Sequence, residues 1–516
     1  MSLLPEALSD TLMRRLPPGD GVDQQHLQQL ISALCQALEQ GQLGLDLEGD
    51  PPDGVDVQAW PSAHLEALAA SQWLNTLIVQ DGPWLRWRRW QEQLNRCLAA
   101  LLQRAASPLA QSARSEAPPA GEMEAILSGL DREQQAAVLA TQNQQLVLLL
   151  GGPGTGKTST VTAMLRAALT REPQLRLQLA APTGKAAARL QQALPEQPCA
   201  TLHRLLEARG GNHFGRNRRK PLDLDLLVVD EVSMVDLPLM AALLEALPDS
   251  AQLLLVGDPG QLPPVGTGAV LEELCRPPVR QQLGQAVVEL RTTYRNNGAI
   301  AAAAQQLRST KTGSNPLEAL RPLLEQLEPQ ANLQWLQAPL QGLPEAVLVP
   351  LLKHQQVLEQ LSGQVTTTSA AALLEELDAL IALSPLRKGP WGVEALHRRL
   401  LGAASEAPLE QWPLGTPVLN RQNRPDEGLA NGDIGVLVQR DGQRWVLMHG
   451  ERWLHPARLA GAEPALALTV HKSQGSQYGR VLLLIPPSRG SDPRLLYTGI
   501  TRARQQALLV TPAEAS

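Results

Sequence analysis

Aromatic side chains are scarce in this chain of 516 residues, with one Phe, three Tyr and ten Trp. Lysine is equally thin, seven against 38 Arg, and the first is Lys157. The four cysteines, Cys35, Cys97, Cys199 and Cys275, stand 62, 102 and 76 residues apart. No CxxC pair exists, which excludes the spacing of a zinc ribbon, an iron–sulfur site or a thioredoxin-type centre. A disulfide scaffold does not suit a chain of this size, and reduced thiols suit a cytoplasmic setting. Apolar runs such as Leu146–Leu150 are too short to span a bilayer, so no membrane is expected. The start, Met1-Ser2-Leu3-Leu4-Pro5, carries no basic region followed by an apolar stretch, so no secretory signal is expected. Positive charge is also lacking in sum: the formal net charge is -6, which excludes a uniformly basic coat but not a local basic groove.

What is present can build large cores, since 43% of residues are hydrophobic and 19% charged. The length suggests three or four domains. Leu27, Leu30, Ile31, Leu34 and Leu38 recur at helical spacing and predict a helix from Asp23 to about Gln40. Five of the ten Trp lie between Trp60 and Trp90, and from Gln103 to Gly121 the composition shifts to Ala, Ser and Pro. We therefore expect a helical N-terminal domain over 1–105 and a linker over 106–121. Beyond it, Leu146–Leu150, Leu175–Ala180, Leu226–Val229 and Leu253–Val256 read as strands. Each precedes a turn and a helical stretch, the pattern of an α/β fold with parallel sheets. Near the end, Thr416–Asn420, Ile434–Gln439 and Trp445–His449 are short strands between Asn-Gly, Asp-Gly and His-Gly turns. They predict a small β-barrel insertion over about 412–460.

The chemistry begins where the strand Leu146–Leu150 runs into Gly151-Gly152-Pro153-Gly154-Thr155-Gly156-Lys157-Thr158, followed by Ser159. This is the GxxxxGK[ST] phosphate loop in its strand-to-helix context, and it implies bound ATP. Its glycines let backbone N–H groups close on phosphates at a helix N-terminus. Lys157 would reach the β- and γ-phosphates, and the Thr158 hydroxyl would hold Mg²⁺. Leu226–Val229 then ends in Asp230-Glu231, an Asp to hold the same metal and a Glu to deprotonate the attacking water.

Further segments resemble superfamily 1 helicases. Leu130–Val138 is similar to their adenine-reading segment, with Gln134 as reader, and Gly257–Val265 to the segment in which Gln261 senses the γ-phosphate. Thr293-Tyr294-Arg295 resembles the source of an arginine finger, and Tyr497–Arg504, with Arg502, a second. Ala181–Ala187, Ala200–Leu206 and Thr469–Ser476 look like DNA-gripping segments. On that resemblance Thr183, Lys185, Thr201, His203, His471 and Lys472 are the candidate contacts. With Leu386–Val393 and Gly428–Gly435 added, the chain from about 125 to 510 resembles the RecD family, the α subunits of exodeoxyribonuclease V.

The resemblance implies two RecA-like domains, 122–285 and 286–516, with ATP between them. It also implies 5′-to-3′ movement on single-stranded DNA, duplex ends as substrate, RecB-like and RecC-like partners, and work in double-strand break repair and recombination. Arg295 and Arg502 would reach across from the second domain, tying hydrolysis to closure.

Between the DNA-gripping segments lies the densest basic run, His213–Lys220, with the only Phe, Phe214. We read about 207–221 as an exposed hairpin in which Arg216, Arg218 and Arg219 contact or separate duplex; a solvated basic loop is the other reading. Two residues depart from the family pattern: Gln477 replaces a Glu after Gly-Ser, and Gly499 stands where Ala is common. The Trp- and Arg-rich N-terminal region is a candidate subunit-docking surface or an ordinary Trp-anchored core. Acids outside these motifs show no metal-binding arrangement, so any nuclease activity would belong to a partner. Two alternatives stand beside the complex subunit: a stand-alone RecD-like helicase, and an ATP-dependent DNA-binding switch that does not unwind.

Overall fold

The computed structural model describes residues 4–19, 21–39, 41–109, 120–294, 298–310, 315–422, 429–486 and 492–513. The N-terminal region mixes helices with a small antiparallel sheet. Its second helix, Gln24–Glu39, buries Leu27, Leu30, Ile31 and Leu34 on one face, as the spacing requires. The strands β1 (Gly44–Asp46), β2 (Ile78–Asp81) and β3 (Trp84–Trp87) pair in the order β1-β3-β2. The expected helical N-terminal domain thus also carries strands, because the Trp/Arg stretch after the Asp81-Gly82-Pro83 turn begins as a strand that pairs back on β2. None of the five tryptophans from Trp60 to Trp90 is exposed, and Trp73 is fully buried. The helix Arg88–Ala106 then puts Leu94, Cys97 and Leu101 into the core of the next unit.

That unit is a six-stranded parallel sheet. Its strands are β4 (Leu146–Gly151), β5 (Leu177–Ala181), β6 (Cys199–Thr201), β7 (Leu226–Val229), β8 (Gln252–Gly257) and β9 (Val287–Leu290), in the order β6-β5-β7-β8-β4-β9. β4, β7 and β8 are buried along their whole length because helices cover both faces. Side chains alternate between two cores: Leu148, Leu227 and Leu253 point to one, Val147, Val228 and Leu254 to the other.

A second parallel sheet carries β10 (Leu333–Ala338) and β11 (Leu380–Ser384). The chain then leaves it for an antiparallel sheet of β12 (Pro417–Leu419), β13 (Ile434–Arg440), β14 (Gln443–Met448), β15 (Arg452–Leu454) and β16 (Glu463–Pro464). It returns as β17 (Ala467–Thr469), β18 (Tyr478–Leu484) and β19 (Ala503–Pro512), giving the order β10-β19-β18-β11-β17. The antiparallel strands follow the order β15-β14-β13-β12-β16, with β15 and β16 at its two ends. Among the described residues no helix is long and apolar enough to cross a membrane. No group of three or more His, Cys, Asp and Glu among them is placed to hold a metal.

Candidate functional site

In the first sheet β4 lies beside β8, and β8 beside β7. The loops leaving the C-terminal ends of these strands therefore converge, where open parallel sheets bind ligands. The loop after β4 enters the helix Lys157–Arg171 through Gly156, whose φ of 80° only glycine adopts without strain. Lys157 Nζ folds back to donate to the carbonyls of Gly151 (2.7 Å) and Gly152 (2.8 Å). Thr155 Oγ1 donates to Gly152 O at 2.9 Å and Ser159 Oγ to Gly156 O at 2.8 Å. Pro153 and Gly154 are half-buried in the same turn, and Thr158 Oγ1 makes no hydrogen bond among the described residues.

Gln134 caps the neighbouring helix Arg132–Asn143 in a reciprocal box with Asp131. Its Nε2 lies 2.7 Å from where a Cβ on Gly156 would stand, against the phosphate loop. Tyr294 covers the same loop: its N–H donates to Gly154 O at 2.8 Å and its hydroxyl bonds Asp131.

Asp230 leaves β7 with Oδ1 accepting from the N–H of Glu231 at 2.8 Å. Burial, then the charge of Glu231, push its carboxyl up, while Lys157 and Arg189 oppose the rise. Glu231 is buried and held left-handed at φ 54°, a conformation costly for a residue with a Cβ. Gln261, after β8, is buried with Oε1 unpartnered, and Ser233 Oγ is likewise orphaned. Such atoms fit an absent polar ligand. Lys157, an unbonded Thr158 hydroxyl, Asp230 and Glu231 thus form a donor and carboxylate set suited to a nucleotide phosphate and a divalent cation.

The second sheet closes on this site. Arg502 is buried, and its guanidinium donates to Thr498 O (3.1 Å) and Ser476 O (3.2 Å). Burial lowers its pKa, against the pull of Glu231. Arg295 lies outside the described residues.

Sequence reasoning missed several participants. Tyr497 Oη donates to buried Asp258 at 2.8 Å, Thr498 Oγ1 accepts from Leu262 N at 2.9 Å, and Gln474 Nε2 donates to Leu262 O at 2.8 Å. These bonds stitch the segment carrying Gln261 to the second sheet. Arg308 Nη1 and Tyr497 Oη lie 3.2 Å and 3.1 Å from where a Cβ on Gly152 would stand. Asp258, Tyr497 and Thr498 fall in quoted motifs. Arg189 and Arg308 do not, and no local pattern marks them.

The candidate DNA contacts occupy separate points. Thr183 and Thr201 cap the helices that follow them, accepting from Ala186 N and Arg204 N at 3.2 Å. Thr183 Oγ1 also sits 3.1 Å from where a Cβ on Gly475 would stand, so segments from the two sheets meet. Burial pushes Lys185 down to about 8, against attraction from Asp378 and Asp433. Lys472 is paired with Glu463 at 3.0 Å, and burial lowers the pKa of His471 beside it.

The basic loop is a short hairpin bridged between Ala208 and Phe214. Phe214 is half-buried against the first core, 6.3 Å from the exposed His203 ring. Glu207 takes Arg216 (2.8 Å) and Lys220 (2.9 Å), and Arg218 and Arg219 stand exposed in a second turn closed by the Asn217–Lys220 bridge. Gln477 is half-buried, and Gly499 packs where an added Cβ would meet Leu483 at 2.8 Å.

Comparison with known proteins places this geometry in a family. The RecBCD enzyme subunit RecD of Mycolicibacterium smegmatis is 39% identical over 409 residues, covering 73% of this chain and 70% of that protein. The chain belongs to the RecD family. The family's Haemophilus influenzae member is 29% identical, covering 72% of this chain and 68% of its own. The ATP-dependent RecD2 DNA helicase of Deinococcus radiodurans is 32% identical, but only 48% of it is covered. Family models described as an AAA domain and a UvrD-like helicase C-terminal domain match residues 134–267 and 464–510. Among solved structures, Bacteroides Pif1 bound to ssDNA aligns at 19% identity with a TM-score of 0.42, covering 75% of this chain and 93% of that one.

Proposed function

We propose that this RecD-family chain is an ATP-dependent DNA helicase that moves 5′ to 3′ on single-stranded DNA as the motor of a complex with RecB-like and RecC-like subunits. Such a motor would act on duplex ends in double-strand break repair and recombination. The observation that carries the reading is the junction of a phosphate loop, Asp230-Glu231 and Gln261 on one sheet with buried Arg502 on the other.

Gln134 reads the adenine, while residues 151–159 and Lys157 hold the phosphates. Thr158 and Asp230 would hold Mg²⁺, which when bound neutralises phosphate charge. Glu231 orients the attacking water and takes its proton, and Gln261 senses the γ-phosphate. Arg502 and Arg295 stabilise charge in the transition state once the sheets close. Closure moves Thr183, Lys185, Thr201 and His203 relative to His471 and Lys472, and so steps the protein along phosphates. The hairpin 207–221, through Arg216, Arg218 and Arg219, guides duplex. The antiparallel insertion, expected over about 412–460, is a small sheet module on the second motor domain. The region 1–105 supplies the docking surface, apart from its inward tryptophans.

The 39% identity to the Mycolicibacterium smegmatis RecD subunit, against 32% to the RecD2 helicase, favours the subunit reading over a solitary helicase. Purification from the native cell, followed by unwinding of 5′- and 3′-tailed duplexes, tests both parts. Co-purifying subunits and a 5′-tail preference are expected. A monomer that unwinds alone would support the RecD2-like alternative, and hydrolysis without unwinding the switch.

A further inference from the structure

Beside the C-terminal ends of β11 and β17, a cavity of about 330 Å³ opens between the helix Val393–Leu401 and the base of the antiparallel insertion. Arg387, Glu463, Thr469 and Lys472 line it. Three cations converge there on one carboxylate. Glu463 Oε1 accepts from Arg387 Nη2 at 2.5 Å and forms an ion pair with Arg421 Nη1 at 2.9 Å, and Oε2 accepts from Lys472 Nζ at 3.0 Å. Among the described residues the other acid in direct contact is Glu394, on Arg387 Nε at 2.9 Å.

We propose that this cluster is a phosphate-binding point for the single strand, held by the Glu463 carboxylate until a DNA phosphodiester displaces it. The inference rests on the helicase reading and adds Arg387, Arg421 and Glu463 to it.

Four observations support the exchange. The site lies at strand C-termini, where open parallel sheets take ligands, and Lys472 already belongs to a candidate DNA segment. Among the described residues, three cations meet the one carboxylate of Glu463. Arg387 and Arg421 are about half exposed, 49% and 48%, against 21% for Glu463, so the donors face water more than their acceptor does. Finally, two carboxylate oxygens met by two guanidinium groups and an ammonium offer the same acceptor geometry as the two free oxygens of a phosphodiester. Burial alone would raise the Glu463 pKa, but Lys472 and Arg387 hold it below the usual carboxylate range, so it is ionised at neutral pH. The resident anion is tethered through β16, a strand of two residues pairing with β12, so little structure need move.

The test is anisotropy of a labelled oligodeoxythymidylate with the full chain across a salt series. Glu463→Gln removes the competing anion and keeps the shape. It is expected to bind several-fold tighter, with a steeper fall of log affinity against log salt. Arg387→Gln with Arg421→Gln is expected to bind more weakly and to flatten that slope by roughly 1.4, about 0.7 for each lost phosphate contact. Glu463→Gln binding no tighter, at a wild-type melting midpoint, would overturn the proposal. If that variant does not fold, an unchanged slope in the exposed double-arginine variant overturns it instead. Wild-type protein that binds no single strand in any nucleotide state would overturn the helicase reading as well.

Discussion

Glu231 combines two costs that a structural residue would avoid: a buried carboxylate and a left-handed backbone. Both point its side chain's role toward the chemistry beside Asp230. Glu231→Gln keeps the shape and removes the proposed base. Turnover is expected to fall by roughly 10²- to 10⁴-fold while nucleotide affinity changes little, which single-turnover hydrolysis beside nucleotide binding will separate. Lys185 gives a pH prediction. Its pKa of about 8 lies below the ordinary lysine value because burial disfavours the charged form. The ammonium is therefore present at pH 7 and largely lost by pH 9, while Arg stays charged throughout. Single-strand affinity at fixed ionic strength is expected to fall between pH 7 and 9 in wild type and less in Lys185→Arg.

Residues 151–159, Asp230 and Glu231 were legible in the sequence because their spacing after apolar strands is itself the chemistry. Arg189 and Arg308 were not. Arg308 reaches the phosphate loop from the second unit and Arg189 acts on Asp230 from the helix after β5, placements that local sequence does not encode.

Among elements, β4, β7 and β8 were readable nearly to the residue, since burial on both faces demands unbroken apolar runs. Leu148 is fully buried in β4; Leu148→Ala is expected to cost about 2–5 kcal/mol, measured by denaturant unfolding. The N-terminal sheet was missed because β1 to β3 are only three or four residues long, too short to show alternation. Their tryptophans are spent internally: Arg276 stacks on Trp84 at 3.8 Å, while Arg86 beside it pairs with buried Glu273 at 2.9 Å.

The helix Pro493–Ile500 is one element that ties the sheets together. Tyr497→Phe leaves buried Asp258 short of a donor, at a cost of about 1–3 kcal/mol. It is expected to lower the unfolding midpoint and also to weaken the stimulation of hydrolysis by single-stranded DNA. A loss of stability alone, with stimulation intact, would reduce the bond to packing.

At the scale of the whole molecule, an acidic chain with few lysines places five of its seven at the phosphate loop, the DNA-gripping segments, the basic hairpin or the Leu386–Val393 segment. Lys157 and Lys472 show the logic, one against phosphate-loop carbonyls and one in the cation cluster around Glu463. The two parallel sheets meet through buried Asp258, Leu262, Gln474, Tyr497 and Thr498, so a change at the nucleotide has a short route to the second sheet.

The central claim is that this junction couples ATP hydrolysis to movement on DNA. The most direct measurement is hydrolysis by the full chain with and without single-stranded DNA, in wild type and Lys157→Ala, alongside unwinding of a 5′-tailed duplex. The account predicts DNA-stimulated hydrolysis and 5′-tail-dependent unwinding in wild type, both lost in the variant. Hydrolysis indifferent to DNA, or equal in Lys157→Ala, would contradict it.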